Sequence, residues 1–155
     1  MAVSELTIQE AFQAAFQALS RFEDGDVVIN NWEVLDQSTD NAPYVIIENS
    51  DDWDSLQETV TVMNNYRLPF TLVVKLAADT WTVAMNNFRD TRQAIIDAFT
   101  GSGRSAFGQD GVYVQRIRPD GPIGYIYSPD VDPEQQPYAT PLFVSQRIIA
   151  DIVQF

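Results

Sequence analysis

Cysteine and histidine are both absent from this chain of 155 residues, and lysine occurs once, at Lys75. Without cysteine there are no disulfides, thiolate metal sites or thiol nucleophiles. Without histidine the chain lacks the commonest general base, the commonest metal ligand and any Ser–His or Cys–His triad. Long apolar runs are missing too. The longest, such as Tyr44 to Ile47, are strand-sized, far short of the roughly 20 residues of a membrane span. The opening MAVSELTIQEAF has no basic leader before an apolar block, so no secretion signal is expected. A phosphate-cradling glycine loop is also missing. The glycines of GSGRSAFG, 101 to 108, follow an expected helix, whereas such a loop precedes one with different spacing.

What the chain has in excess is negative charge. Twenty-two acids against nine bases leave −13. Tight binding to a phosphate backbone needs clustered Lys and Arg, so DNA affinity is disfavoured. A surface of this sign repels nucleic acid and aids solubility. An apolar fraction of 45% and an aromatic fraction of 12% fit one ordinary globular domain with a sizeable core.

Hydrophobic periodicity predicts the elements. Ile8, Phe12, Ala15, Phe16, Leu19 and Phe22 recur every three or four positions, the stripe of an amphipathic helix over 7–22. Thr7 and Glu10 have capping-box spacing. Strands are expected at Asp26 to Trp32, at Tyr44 to Ile47, at Leu56 to Met63 and at Phe70 to Ala77, with a turn at Asn64–Asn65. A second helix over 80–99, capped by Asp79 or Thr80, carries a stripe of Trp81, Met85, Phe88, Ile95 and Phe99. Pro119-Asp-Gly-Pro122 is a strong turn signal inside 112–127 and predicts a β-hairpin. Residues 128–141 hold four of the eight prolines and read as an extended connection. The closing LFVSQRIIADIVQF suits a strand better than a helix, because β-branched residues dominate it. The fold class is therefore α+β: a single domain with a mixed, mostly antiparallel sheet, two helices packed on one face and a protruding β-hairpin. Phe16, Leu19, Phe88 and Ile95 should centre its core.

Two clusters carry the most charge. Glu48, Asp51, Asp52, Asp54 and Glu58 fall within one stretch around ENSDDWD. It lacks the D-x-D-x-D-G pattern and closing Glu of an EF-hand, so a solvated loop is the expected reading and no metal or cofactor site is assigned. Arg116 and Arg118 lie two apart on a strand and share a face. Two readings stay open: plain exposed strand arginines, which is the favoured one, or pairing with acids of a neighbouring molecule. Trp32, Trp53 and Trp81 are expected in the core, Trp53 being the one set among acids.

The order of elements carries a resemblance. An N-terminal helix QEAFQAAFQAL is followed by a strand behind a proline, APYVIIEN, and an acidic stretch with tryptophan, SDDWD. Then come a long strand TLVVKLAAD, a helix WTVAMNNFRDTRQAIIDAF, a late hairpin and a closing strand RIIADIVQF. Over nearly the whole chain this resembles the tail terminator and neck (head–tail joining) proteins of long-tailed bacteriophages. The resemblance implies a non-enzymatic virion subunit, assembled in the host cytoplasm, with no cofactor and no membrane. Such proteins form rings, typically hexameric, that cap the tail tube and dock it to the head connector while DNA passes through. It further implies an acidic lumen, for which Glu48, Asp51, Asp52 and Asp54 are the candidates, and subunit contacts, for which Arg116 and Arg118 are. Carboxylates lining a channel repel phosphate and let DNA slide. The alternative is an acidic intracellular binding module, or a nucleic-acid mimic acting as an inhibitor. A hydrolase using carboxylates alone is the least favoured.

Overall fold

The structure is a computed structural model that describes residues 4–23, 25–37, 42–50, 64–76, 81–101, 103 and 111–154. Helix α1 spans Glu5–Gln17, and the Ser4 side chain caps it by accepting a hydrogen bond from the Thr7 backbone N–H at 3.2 Å. The cap thus lies three residues before Thr7, and Thr7 is inside the first turn, its hydroxyl 2.7 Å from that of Ser4. Ile8, Phe12 and Phe16, spaced by four, are fully buried. The helix ends earlier than the stripe predicts. Leu19 N–H bonds to Phe16 carbonyl and Phe22 N–H to Leu19 carbonyl, so the chain leaves the helix in three-residue turns. Such turns keep every third side chain on one side, and Leu19 and Phe22 still pack on the core.

Strand β1, Val27–Ile29, is shorter than expected, and Trp32–Gln37 forms a 3₁₀ turn instead of continuing it. Asn30 marks the break with a φ of +53°. β2, Pro43–Ile47, is buried at every position. β3 spans Asn64–Lys75. Asn64 and Asn65 therefore open a long strand and make no turn, because their partners Gln154 and Val153 extend the ladder to the end of the sheet. The expected strand at Leu56 to Met63, the caps at Asp79 or Thr80, and most of the acidic stretch lie outside the described residues. α2 covers Trp81–Ala98 and buries Met85, Phe88 and Ile95, with Phe99 just beyond it.

The PDGP segment is the main departure. β4, Val112–Pro119, and β5, Gly124–Ile126, do not pair with each other. Both run antiparallel to β6, Phe143–Gln154, with Pro119 opposite Ile148 and Gly124 opposite Ser145. They are two pieces of one edge strand, and PDGP is a kink between them. Asp120 N–H still reaches the Arg147 carbonyl at 2.8 Å, and Gln146 Nε2 donates to the Gly121 carbonyl at 3.1 Å. Partners on β6 hold the chain in line, whereas a fold-back would leave that edge unpaired. The turn that reverses the chain is the proline-rich 128–141 connection, and no hairpin protrudes at 112–127.

The sheet order is β1-β2-β3-β6-β4, with β5 also on β6. Among the described residues only β1 and β2 are parallel; every other pair is antiparallel. Two α-helices and a six-stranded mixed sheet, counted over the described residues, make one α+β domain. Even-numbered positions of β3 and β6, such as Phe70, Leu72, Ile148 and Ile152, join the helices in one core. At its centre Phe16 meets Phe70 at 5.1 Å, and Phe99 stacks on Phe12 at 5.0 Å, linking both helices to the sheet. Phe16, Phe88 and Ile95 are buried as expected and Leu19 partly so. Trp32 and Trp81, expected inside, are 44% and 39% exposed.

Candidate functional site

The alternation that turns apolar side chains of β3 and β6 toward the helices turns their odd-numbered neighbours to the other face. Toward β2 this second face is apolar: Tyr44, Ile46 and Val73 are buried outside the helix-side core. Toward β4 it is charged. Arg67 on β3 and Arg147 on β6 sit there by register, with Arg116 and Arg118 on β4. An irregularity in β4 between Val114 and Arg116 sets Arg116 opposite Asp151. Without that extra residue the parity of Val114, which faces the helices, would still place Arg116 on the helix side. The bulge is what delivers both arginines to this face.

Two ion-pair groups organise it. Asp151 is the hub of the first. Arg116 Nε donates to its Oδ2 at 2.7 Å and Arg118 Nε at 2.9 Å, while the Asp151 side chain is only 14% exposed. Burial pushes the Asp151 carboxyl up, but the hydrogen bonds from Arg118 and Arg116, together with their charges, outweigh it and hold it below its ordinary value. The hydrogen bond to Asp151 raises the Arg118 guanidinium above its usual range, with Asp120 adding to the pull. Arg147 is the hub of the second. Its Nε donates to Glu48 Oε2 at 3.3 Å, and a terminal nitrogen donates to Asp120. Thr71 hydroxyl donates to the same Glu48 oxygen at 3.2 Å.

Between the two groups lies a cavity of about 380 Å³ lined by Arg67, Arg118, Arg147, Asp120, Pro69 and Ile149 among others. Three guanidiniums, the Asp120 carboxylate and Ser50 supply its polar lining, and the buried Pro69 and Ile149 its apolar part. Guanidinium stays protonated at all ordinary pH and presents a planar fork suited to carboxylate or phosphate. A second, shallower cavity of about 360 Å³ lies beside the kinked edge, lined by Trp81, Tyr125, Tyr127, Ala139, Thr140 and Pro141. Trp81 and Tyr125 stack there at 5.7 Å, which is where the exposed tryptophan of α2 is used.

The residues singled out in the sequence are placed as follows. Arg116 and Arg118 do come together, and both bind a carboxylate of their own chain. Glu48 stands at the end of β2, half-buried and engaged by Thr71 and Arg147, so it is not a free channel carboxylate. Asp51, Asp52, Asp54 and Trp53 lie outside the described residues. Among the described residues no three acidic side chains are grouped to hold a metal ion, and no helix is long and apolar enough to cross a membrane. Sequence reasoning missed Arg67, Asp120, Arg147 and Asp151. Their separation along the chain hides them, although Arg147 and Asp151, four apart on one strand, share a face by parity alone. No protein-family model matches the chain, and no curated protein matches it in sequence.

Proposed function

We propose that this protein is a non-enzymatic structural subunit that assembles into a homo-oligomeric ring at the head–tail junction of a long-tailed bacteriophage. The ring ends the tail tube, joins it to the head connector and leaves a passage for DNA. The observation that carries this reading is the segregation of charge. A chain with nine bases and a net charge of −13 gathers Arg67, Arg116, Arg118 and Arg147 on one part of one sheet face. Glu48, Asp120 and Asp151 offset three of those four charges, so this face is near charge balance, while the acids of the helices and the 128–141 connection leave the surface elsewhere anionic. A balanced face meets a second copy without the repulsion of an anionic one, and head-to-tail contacts close into rings when the rotation allows. The order of elements described above supports the same reading. Asp51, Asp52 and Asp54 remain the acids proposed for the lumen; Glu48 is assigned to the fold.

Electron microscopy of the purified protein, with and without isolated tail tubes, tests this. Annular particles with a central hole, free in solution or capping tube ends, are the expected result. Particles that stay monomeric in both preparations would refute the reading and favour the single-copy inhibitor.

A further inference from the structure

The aromatic cavity beside the kinked edge is built on the helix side of the sheet. Tyr125 pairs with Val144, a helix-side core residue, so its ring rises on that side, where Trp81 in the first turn of α2 stacks on it. Trp81 and Tyr125 stay 39% and 45% exposed. Tyr138 and Leu142, next along the chain to the lining residues Ala139 and Pro141, are 98% and 38% exposed. Exposed apolar side chains gathered in this way mark a contact surface. The 128–141 connection supplies one wall, and its own hydrogen bonds hold it. Val131 N–H bonds to the Ser128 carbonyl at 2.9 Å, Gln136 N–H to the Asp132 carbonyl at 2.8 Å, and Ala139 N–H to the Gln136 carbonyl at 3.0 Å. These turns keep Asp130, Asp132 and Glu134 between the two lining residues Tyr127 and Ala139; Asp130, three residues from Tyr127, lies within about 11 Å of it along the chain. All three acids are exposed, and no base of the described residues pairs with them. From Pro119 to Leu142 the chain has no Lys or Arg at all.

We propose that this groove docks an extended, proline-containing segment of a partner protein that carries arginine beside its prolines. Aromatic rings along a shallow apolar groove are the surface on which a polyproline II helix packs, because that helix is preformed and gives up little chain entropy on binding. The lining has no charged side chain, so it takes the prolines. The carboxylates on the adjoining turns take the arginine, and the outstanding ring of Tyr138 offers a face to the same cation. Charge selects a partner over a second copy. The chain's own proline-rich segment, 128–141, has three acids and no base, and the same segment beside the groove would repel it. This assignment goes beyond the ring reading and does not depend on it.

Fluorescence anisotropy of a labelled peptide of alternating proline and alanine, with an arginine pair at each end, tests it on the full chain. Saturable binding that weakens as salt rises is the expected result. Peptides with glutamate for arginine, or glycine for proline, should each bind about tenfold or more weakly. Tyr125→Ala should weaken binding of the arginine peptide about tenfold. Asp130→Lys with Glu134→Lys should reverse the preference, so that the glutamate peptide binds better than the arginine one. Circular dichroism melting checks that each variant is folded; should Tyr125→Ala unfold, the exchange on the exposed loop decides. No saturable binding of the arginine peptide to wild type, or binding that neither variant alters, would overturn the assignment and leave the ring reading standing. Self-association of wild type in sedimentation velocity that Tyr125→Ala abolishes would also overturn it, and give the groove to a second copy.

Discussion

Asp151 shows what a single side chain carries here. One carboxylate on an inner strand pairs with both Arg116 and Arg118 while largely shielded from water. Asp151→Asn leaves two guanidiniums facing a neutral amide, and the expected loss at neutral pH is about 1.5–3 kcal/mol, the worth of hydrogen bonds to charged groups. The sign of the pH dependence follows from the depressed carboxyl. A group whose folded value lies below its unfolded one stabilises the fold above the unfolded value, near pH 4, and loses that contribution as pH falls through the folded value. Denaturation of wild type and Asp151→Asn should therefore differ by a constant amount from about pH 6 to 8, and the gap should close below about pH 4. A gap unchanged at pH 3 would mean that the ion pairs contribute little. The same pairing bears on any test of Arg116 and Arg118 as subunit contacts: changing both to Glu sets three carboxylates together and would unfold the edge before reporting on assembly. In the core, Phe88 is fully buried, and Phe88→Ala should cost about 3–5 kcal/mol, read as a lowered urea midpoint with unchanged slope.

At the scale of elements, the kinked edge strand is the feature most open to test. Gly121 has a φ of +106° with open space around its α-carbon, so the backbone, not crowding, demands glycine there. Gly121→Ala should destabilise by roughly 1–2 kcal/mol through strain alone. Gly124, three residues on, has no such φ and a prospective methyl would meet Ser145 at ordinary contact distance, 3.8 Å. Gly124→Ala should be nearly neutral. Equal effects of the two substitutions on the urea midpoint would show that PDGP is not held as a kink. The pair is informative because a hairpin turn and an in-line kink draw on the same residues. Proline, aspartate and glycine report that the chain bends; the partner that captures the bend decides by how much. Here β6, twelve residues long, offers a ladder to both halves, and the reversal moves to the proline-rich connection.

At the scale of the whole molecule the relevant quantity is where the net charge of −13 is placed. If Asp51, Asp52 and Asp54 line a DNA passage in the assembled ring, replacing all three with Lys should leave folding and assembly intact. It should also create DNA affinity that falls steeply with salt, as phosphate contacts release counterions. Filter binding at several salt concentrations, beside infectivity of phage carrying the variant, would measure this. Assembled triple-Lys rings with no salt-sensitive DNA binding and normal infectivity would move these acids off the lumen wall.

Much of the architecture was determined by local sequence. Both helices, the buried strand at Tyr44 to Ile47, the closing strand and the α+β class follow from periodicity and β-branched enrichment, which act within a turn or a few residues. Element ends did not follow, because Ser4 and Thr7 are both competent caps and a three-residue turn continues a helical stripe. The charged face was decided by tertiary structure alone. Arg67, Arg118 and Arg147 lie in three strands, and only the register of β3 and β4 on β6, with the bulge before Arg116, brings them to one cavity. Pairing between strands is a choice among distant partners, and no residue carries the identity of its partner in its own neighbourhood.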